Sequence, residues 1–275
     1  MWRGLYIAAS GMITETKHTD MIANNLANAA TTGYKRDDMA IREFEPMLLR
    51  RINDYSADAD VTSFKGFRVD GLGAPRVGRL GLGSAVDEIA TDHIQGALQT
   101  TGNTYDFGIS GEGYFVVNTP QGPRYTRDGT WKLDSDRRMV TTDGYLLADG
   151  ITIGENAPSD SITISGDGRV SYREAGQTQQ QEAGQITLAR FVNPAGLTAI
   201  GKNLFVVSDA SGEAIESNPG VDGAGTLTQG TLEMSNVQIV EEMVNMIVSQ
   251  RAYESNSKAI TTSDSMLEIA NTLKR

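Results

Sequence analysis

Carboxylates are the only abundant side chains in this sequence able to do acid–base chemistry, and Asp128, Asp134, Asp136 and Asp143 fall close together. A glycosidase needs two carboxylates converging on one bond at roughly 5–10 Å. A calcium loop needs oxygen ligands at alternate positions, then a glycine and a distal Glu. "LDSDRRM" (133–139) supplies Asp-x-Asp but then puts Arg137 and Arg138 where further oxygens belong. Solvated turn residues account for these acids more simply than a reaction does. The two histidines, His18 and His93, have no His or Cys at ligand spacing, so a zinc site is not expected, and His18 reads as a surface or seam residue of a helix. The absence of Cys excludes disulfides, thiol catalysis and thiolate metal sites. "GLGAPRVG" and "GLGSAV" resemble pieces of a dinucleotide-binding loop, but neither follows a strand and opens a helix, and there is no G-x-S-x-G elbow. No catalytic residue, metal or cofactor is expected.

Composition narrows the partners. The 275 residues are 39% hydrophobic and 21% charged, as in a folded globular chain. The net charge is −11 and no Lys/Arg cluster stands out, which argues against nucleic acid, whose binding depends on cations displacing counterions. No apolar run approaches the roughly 18 residues of a membrane span, so no membrane insertion is expected. "MWRGLYIAASGMITETKH" lacks the apolar core and cleavage site of a standard signal peptide.

With chemistry weak, the elements at the two ends carry the information. Residues 2–30 read as a helix in which Leu5, Met12, Thr19 and Leu26 recur every seven positions; Ala8 and Ile22 fill much of a companion line that Glu15 interrupts. Asn24 and Asn28 lie four apart on the side away from Leu26. Residues 235–275 contain no Gly or Pro and read as one helix from about Asn236 to Leu273, roughly 55 Å long at 1.5 Å per residue. Ser235 and Gln238 have capping-box spacing. Ile239, Met246, Tyr253, Ile260 and Leu267 follow at intervals of seven, with Met243, Gln250, Ser257 and Asp264 beside them. A helix this long needs a partner along its run, and the first helix is the obvious one.

Between the ends lie all seven prolines, most glycines and short β-rich runs. "GYFVVNT" and "RYTRDGTWKLD" flank "PQGP" as a hairpin, and "SITISGDGRVSY" turns at Asp167-Gly168 with Ile162 and Ile164 inward. "QITLARFV" and "NLFVVSD" are further strands. Asp-Gly at 128, 143, 149, 167 and 222 marks turns. The Gly-rich stretch within 53–85 reads as a loop or extension.

The ends resemble a known family. "GLYIAASGM" followed by "NNLANAATTGYKR" is similar to the N-terminal signature of the bacterial flagellar axial proteins, carried by Asn24, Asn25, Leu26, Ala27, Asn28, Thr31, Gly33, Tyr34 and Lys35. Ala30 and Thr32 depart from that pattern, where Asn and Pro are common. "SNV", "EEMVNMI", "QRAYE", "NSK" and "DSML" match the closing helix in order, and "GEGYFVV", "YTRDGTWKLD" and "FVNPAGLTAIGKNLF" resemble the distal-rod branch, whose proximal sibling shares the ends.

The resemblance implies an α+β subunit whose long N- and C-terminal helices pair, coiled-coil-like, as an inner domain (1–35 plus 233–275). A connecting β region (36–100 plus 196–232) and an outer domain of short antiparallel strands (101–195) complete it. It implies a subunit exported unfolded by the flagellar type III apparatus into the basal body. There it polymerises helically into a hollow shaft that transmits torque, beside neighbouring rod and hook proteins and basal-body ring proteins. In that setting Leu5, Met12, Ile22 and Leu26 pack against Ile239, Met246, Tyr253, Ile260 and Leu267. Asn24, Asn25, Asn28, Gln250, Arg251, Asn256 and Lys258 face neighbouring subunits. Thr31, Gly33, Tyr34 and Lys35 form the exit from helix to β structure. A β-rich hydrolase using Asp134 and Asp136, or a surface adhesin, are the competing readings.

Overall fold

The computed structural model describes residues 2–45, 47–50, 63–64, 67–68, 76–158, 161–175 and 179–272. The expected Gly-rich loop within 53–85 lies largely outside the described residues. Two long helices, α1 (Trp2–Ala27) and α2 (Ile239–Thr272), bracket a β-rich middle of antiparallel strands, an α+β chain. The chain divides into two compact units, one comprising Met1–Ile22, Met39–Ile89 and Val244–Arg275, the other Ala23–Asp38 and Ala90–Met243.

In the first unit the two helices meet through small residues. A Cβ on Gly4 would lie 3.9 Å from Ser263 Oγ, and one on Gly11 2.7 Å from Asn256 Nδ2. Further along, Thr19 Oγ1 lies 3.0 Å from Ser249 Oγ, and the buried Ser249 hydroxyl is 2.7 Å from Glu15 Oε2. Contacts at 4 and 11 on α1 meet 263 and 256 on α2, so the helices run antiparallel with both lines advancing by seven. The α2 line facing α1 is therefore Ser249, Asn256 and Ser263. The expected companion line, Gln250, Ser257 and Asp264, sits one position further on. Glycine at 4 and 11 lets the backbones approach, and small polar side chains then fill the seam. Strand Asp37–Glu43 pairs with Ser84–Thr91, and Thr14 Oγ1 lies 3.3 Å from the Ser84 carbonyl.

The second unit is built on a nine-stranded sheet. Its centre is Tyr114–Thr119, paired with Gly122–Thr126 on one side and with Leu146–Leu147 and Leu188–Arg190 on the other. The expected hairpin forms, with Gly122 opposite Thr119 across Pro120-Gln121. Alternation sends Phe115 and Val117 into one core, with Trp131, Phe107 and Leu147, and sends Tyr114 and Val116 into a second, with Tyr125, Phe191 and Phe205. Both faces of the central strand are covered, which is why it reads as a continuous apolar run. Ile162 and Ile164 are buried as expected, beside the turn where Gly168 takes φ +82°.

Two local expectations are corrected. Gly129 is not a positive-φ turn residue; a Cβ there would lie 2.0 Å from the Phe107 carbonyl, so it serves close strand approach. Ser235 does not form a capping box with Gln238: its hydroxyl accepts from the Val237 N–H at 3.2 Å, before α2 begins at Ile239. The first helical bond of α2 runs from Glu242 N–H to the Gln238 carbonyl at 3.0 Å.

Candidate interaction site at the helix-to-sheet exit

The residues that end α1 form a tight hydrogen-bonded exit in the second unit. Asn28 Nδ2 donates to the carbonyl and Oδ1 of Asn24, at 3.0 and 3.1 Å, and Thr31 Oγ1 donates to Asn28 Oδ1 at 3.3 Å. The Tyr34 hydroxyl returns to the same amides, 3.0 Å from Asn24 Oδ1 and 3.1 Å from Asn25 Oδ1. Asn25, fully buried, grips Asp37 from both sides: its Nδ2 donates to the Asp37 carbonyl at 2.9 Å and its Oδ1 accepts the Asp37 N–H at 3.1 Å. One side-chain amide thus substitutes for a strand partner, satisfying both backbone groups of residue 37.

Three distant segments fix the turn itself. The Gly33 N–H donates to the Glu233 carbonyl at 2.8 Å, Thr32 Oγ1 donates to Asp128 Oδ1 at 2.9 Å, and Asn203 Nδ2 donates to the Thr32 carbonyl at 2.8 Å. Gly33 has φ +68°, and a Cβ there would stand 2.5 Å from the Asp128 backbone nitrogen, so glycine is required both by conformation and by space.

Immediately after the turn, Lys35 enters a buried ionic cluster. Glu233 Oε1 accepts from Lys35 Nζ at 2.6 Å and from the Gly96 N–H at 3.0 Å; Oε2 accepts from Arg127 Nη1 at 3.2 Å. Lys35 Nζ also donates to the Ile94 carbonyl at 2.8 Å, and Arg127 Nη2 to the Gly111 carbonyl at 3.0 Å. All three charged side chains are at most 4% exposed. Burial lowers the Lys35 pKa, with Glu233 opposing that shift. Arg127 also lies over the Tyr114 ring, 5.0 Å from its centroid, and the Tyr114 hydroxyl is 2.8 Å from His93 Nδ1. Burial, with help from Lys35 and Arg127, pushes His93 down to about 4; burial pushes Tyr114 up to about 12. One further contact ties the start of α2 to the exit: Arg36 Nη1 lies 3.7 Å from both Glu241 and the buried Glu242.

This constellation positions backbone; its one hydroxyl–imidazole contact, Tyr114 to His93, joins a phenol whose pKa is raised with an imidazole whose pKa is lowered. The aspartates that could have been catalytic are engaged otherwise. Arg138 Nη2 sits 3.4 Å from Asp134 and 2.8 Å from Asp136, Asp143 lies 3.4 Å from Lys202 Nζ, and Asp128 accepts from Thr32 and from the Thr130 N–H. Among the described residues no group of three His, Cys, Asp or Glu side chains is placed to hold a metal.

Comparison with known proteins decides the lineage. Three family models match in order: a flagella basal body rod protein over 5–35, a flagellar hook protein FlgE/F/G D1 domain over 108–172, and a flagellar basal body rod FlgEFG protein C-terminal region over 228–273. The flagellar basal-body rod protein FlgG of Borreliella burgdorferi is 45% identical over 100% of both chains. The chain belongs to the flagellar basal-body rod protein family. Another member of that family, FlgG of Bacillus subtilis, is 41% identical over 100% of both chains, against 30% for the flagellar hook-basal body complex protein FlhP of the same organism. That ordering puts this family member on the FlgG branch.

The residues singled out from the sequence distribute as follows. Thr31, Gly33, Tyr34 and Lys35 come together with Asn24, Asn25 and Asn28 at the exit. Asn25, expected on a subunit face, is instead internal. Asn256, expected on the same face, is half-buried against Gly11. Gln250, Arg251 and Lys258 are exposed. Of the seam residues, Ile22 is buried, and Leu5, Met12, Leu26, Met246, Ile260 and Leu267 are half-buried, whereas Ile239 is 48% and Tyr253 40% exposed. Arg127, Glu233, Asn203 and Tyr114 escaped sequence reasoning, and Asp128 and His93 were weighed there only as catalytic or metal candidates, because positions near 35, 127 and 233 share no spacing signal.

Proposed function

We propose that this chain is a structural, non-catalytic subunit of the distal part of the flagellar rod that polymerises with copies of itself into a hollow helical shaft transmitting motor torque to the hook. The observation that carries this reading is on α2. Val240, Met243, Val244, Ile247 and Val248 share one face and are 49–76% exposed, an apolar stripe left open on a helix of 34 residues. On α1, Tyr6 and Ile13, seven apart, are 71% and 61% exposed. Such faces call for cover, and copies of the same helices stacked along a shaft supply it. The heptad-spaced contacts of Gly4 and Gly11 with Ser263 and Asn256 favour a coiled-coil-like pairing of the two ends as the inner layer (1–35 plus 233–275), with the β regions (36–100 plus 196–232, and 101–195) projecting outward. Gln250, Arg251 and Lys258, and the exposed edge of Asn24 and Asn28, then set register between neighbours, where polar contacts specify geometry more than they stabilise. Neighbouring rod and hook proteins and basal-body rings are the further partners, and the flagellar export apparatus delivers the chain to the basal body.

The test is polymerisation of the purified chain, followed by sedimentation and electron microscopy. Ile247→Lys and Val244→Asp, both at exposed positions, leave the β unit's unfolding transition unchanged and abolish tubes. Normal polymers from either variant would sink the reading. A hydrolase would instead lose activity in Asp134→Asn with its assembly state unaltered.

A further inference from the structure

The ionic cluster has an open side. A cavity of about 380 Å³ is walled by Arg127, Arg190, His93, Tyr114 and Phe191, with Ala195 at its rim. Arg127 is 4% exposed, so this wall carries a cation held away from water. Lys35 and Arg127 share the single carboxylate of Glu233, with Asp92 acting on Lys35 from further off.

The donors around the cavity outnumber their acceptors. The Tyr114 hydroxyl lies 2.8 Å from His93 Nδ1, and the tautomer in which that hydroxyl donates puts the imidazole proton on Nε2. Among the described residues, His93 Nε2, Arg127 Nε and Arg190 Nε are buried and meet no acceptor. The cavity's own acids, Glu112 and Asp92, are each partly engaged, and Asp92 also acts electrostatically on Lys35 and His93. Glu112 pairs with Arg190 Nη2 at 3.1 Å from a position 76% exposed, where solvent screens it, and Asp92 Oδ1 accepts the Ile94 N–H at 3.0 Å. What these N–H groups lack is an oxygen acceptor that enters from outside, with an apolar stem to lie against Tyr114 and Phe191.

We propose that this cavity is a socket for an acidic side chain, Glu or Asp, carried by a second copy of this chain. The polymer reading supplies the neighbour, and the inference rests on it. The composition supplies acceptors to choose from, with 35 Asp and Glu against 24 Lys and Arg. The inserted carboxylate exchanges hydration for a desolvated guanidinium, the arrangement in which charge-assisted hydrogen bonds are strongest. It sets rotational register between subunits in a way an apolar stripe cannot.

The chain has only His18 and His93, so the imidazole NMR spectrum provides both a reporter and an internal control. Full-length subunit is titrated with propionate and, separately, with inorganic phosphate. Propionate shifts the His93 resonances saturably and leaves His18 in place, and phosphate, too broadly hydrated for the stem, does not. Arg190→Gln weakens the propionate response several-fold. Ala195→Trp, at an exposed position, plugs the mouth: the response disappears, the unfolding temperature stays, and the polymer yield falls at least tenfold, whereas Ala195→Ser behaves as wild type. A His93 spectrum indifferent to propionate, a response equal for phosphate, or an Ala195→Trp subunit that polymerises normally each overturns the socket. Wild-type chain that never polymerises overturns the rod reading instead, and the titration still judges the cavity's chemistry.

Discussion

Replacing Glu233 by Gln removes one charge from a site where, among the described residues, neither cation is within ion-pair distance of another carboxylate. Lys35, Arg127 and Glu233 are 1%, 4% and 0% exposed at the side chain, so water cannot take over the role of the lost anion. Breaking a buried ion pair by deleting one partner costs about 3–5 kcal/mol. Gln keeps one acceptor oxygen for the Gly96 N–H or Lys35 Nζ, which favours the lower half of that range. For a unit of this size about 1 kcal/mol moves the midpoint by about 2–4 °C, so a drop of about 6–15 °C is expected in the second unit's transition. Trp131, 1% exposed in the principal core, reports it by fluorescence. Lys35→Met and the Lys35→Met, Glu233→Gln pair complete a double-mutant cycle. Because the two side chains meet at 2.6 Å, their effects are less than additive by at least about 1 kcal/mol. Additive effects, or a Glu233→Gln subunit within about 1 kcal/mol of wild type, would refute the argument that the carboxylate compensates both cations.

Three further outcomes follow from the same region. His93 has a folded-state pKa of about 4 against 6.5 when free, so the unfolded chain binds its proton first and stability falls as pH drops from 6.5 towards 4. This amounts to about 3 kcal/mol, and the difference between wild type and His93→Gln in denaturant midpoints across that range isolates it. Gly33→Ala forces a side chain into φ +68° and against the Asp128 backbone, and costs at least about 2 kcal/mol in chemical unfolding; an effect below about 0.5 kcal/mol contradicts the tight approach. Thr32→Val removes the hydroxyl bond to Asp128 at nearly constant volume and costs about 1 kcal/mol, recovered in Thr32→Ser, as read from hydrogen exchange at the Gly33 amide.

The extent to which this fold was legible from sequence depended on whether its cause was local. Period seven marks both helices, and alternation marks Tyr114–Thr119, because each pattern is written within a few turns or residues. The placing of Asn24, Asn25 and Asn28 could be read only halfway. Four-residue spacing puts Asn24 and Asn28 on one face, but nothing local says that Asn25 will close onto Asp37, since that bond depends on how the turn folds back. The α2 seam moved by one position for a similar reason: large apolar residues are the usual guide to a helix interface, whereas here Gly4 and Gly11 let Asn256 and Ser263 approach, and size outweighed hydrophobicity. The ionic cluster was invisible because Lys35, Arg127 and Glu233 look like surface residues singly, and their burial is a property of chain closure. That invisibility also says what the cluster does. Three side chains from the beginning, middle and end of the sequence must all arrive before any is compensated, so a partly folded chain holds an unpaired charge that keeps the site open to water. Closure around Glu233 is therefore all-or-none, and it couples the direction in which the chain leaves α1 to the strand, Thr231–Glu233, that leads into α2.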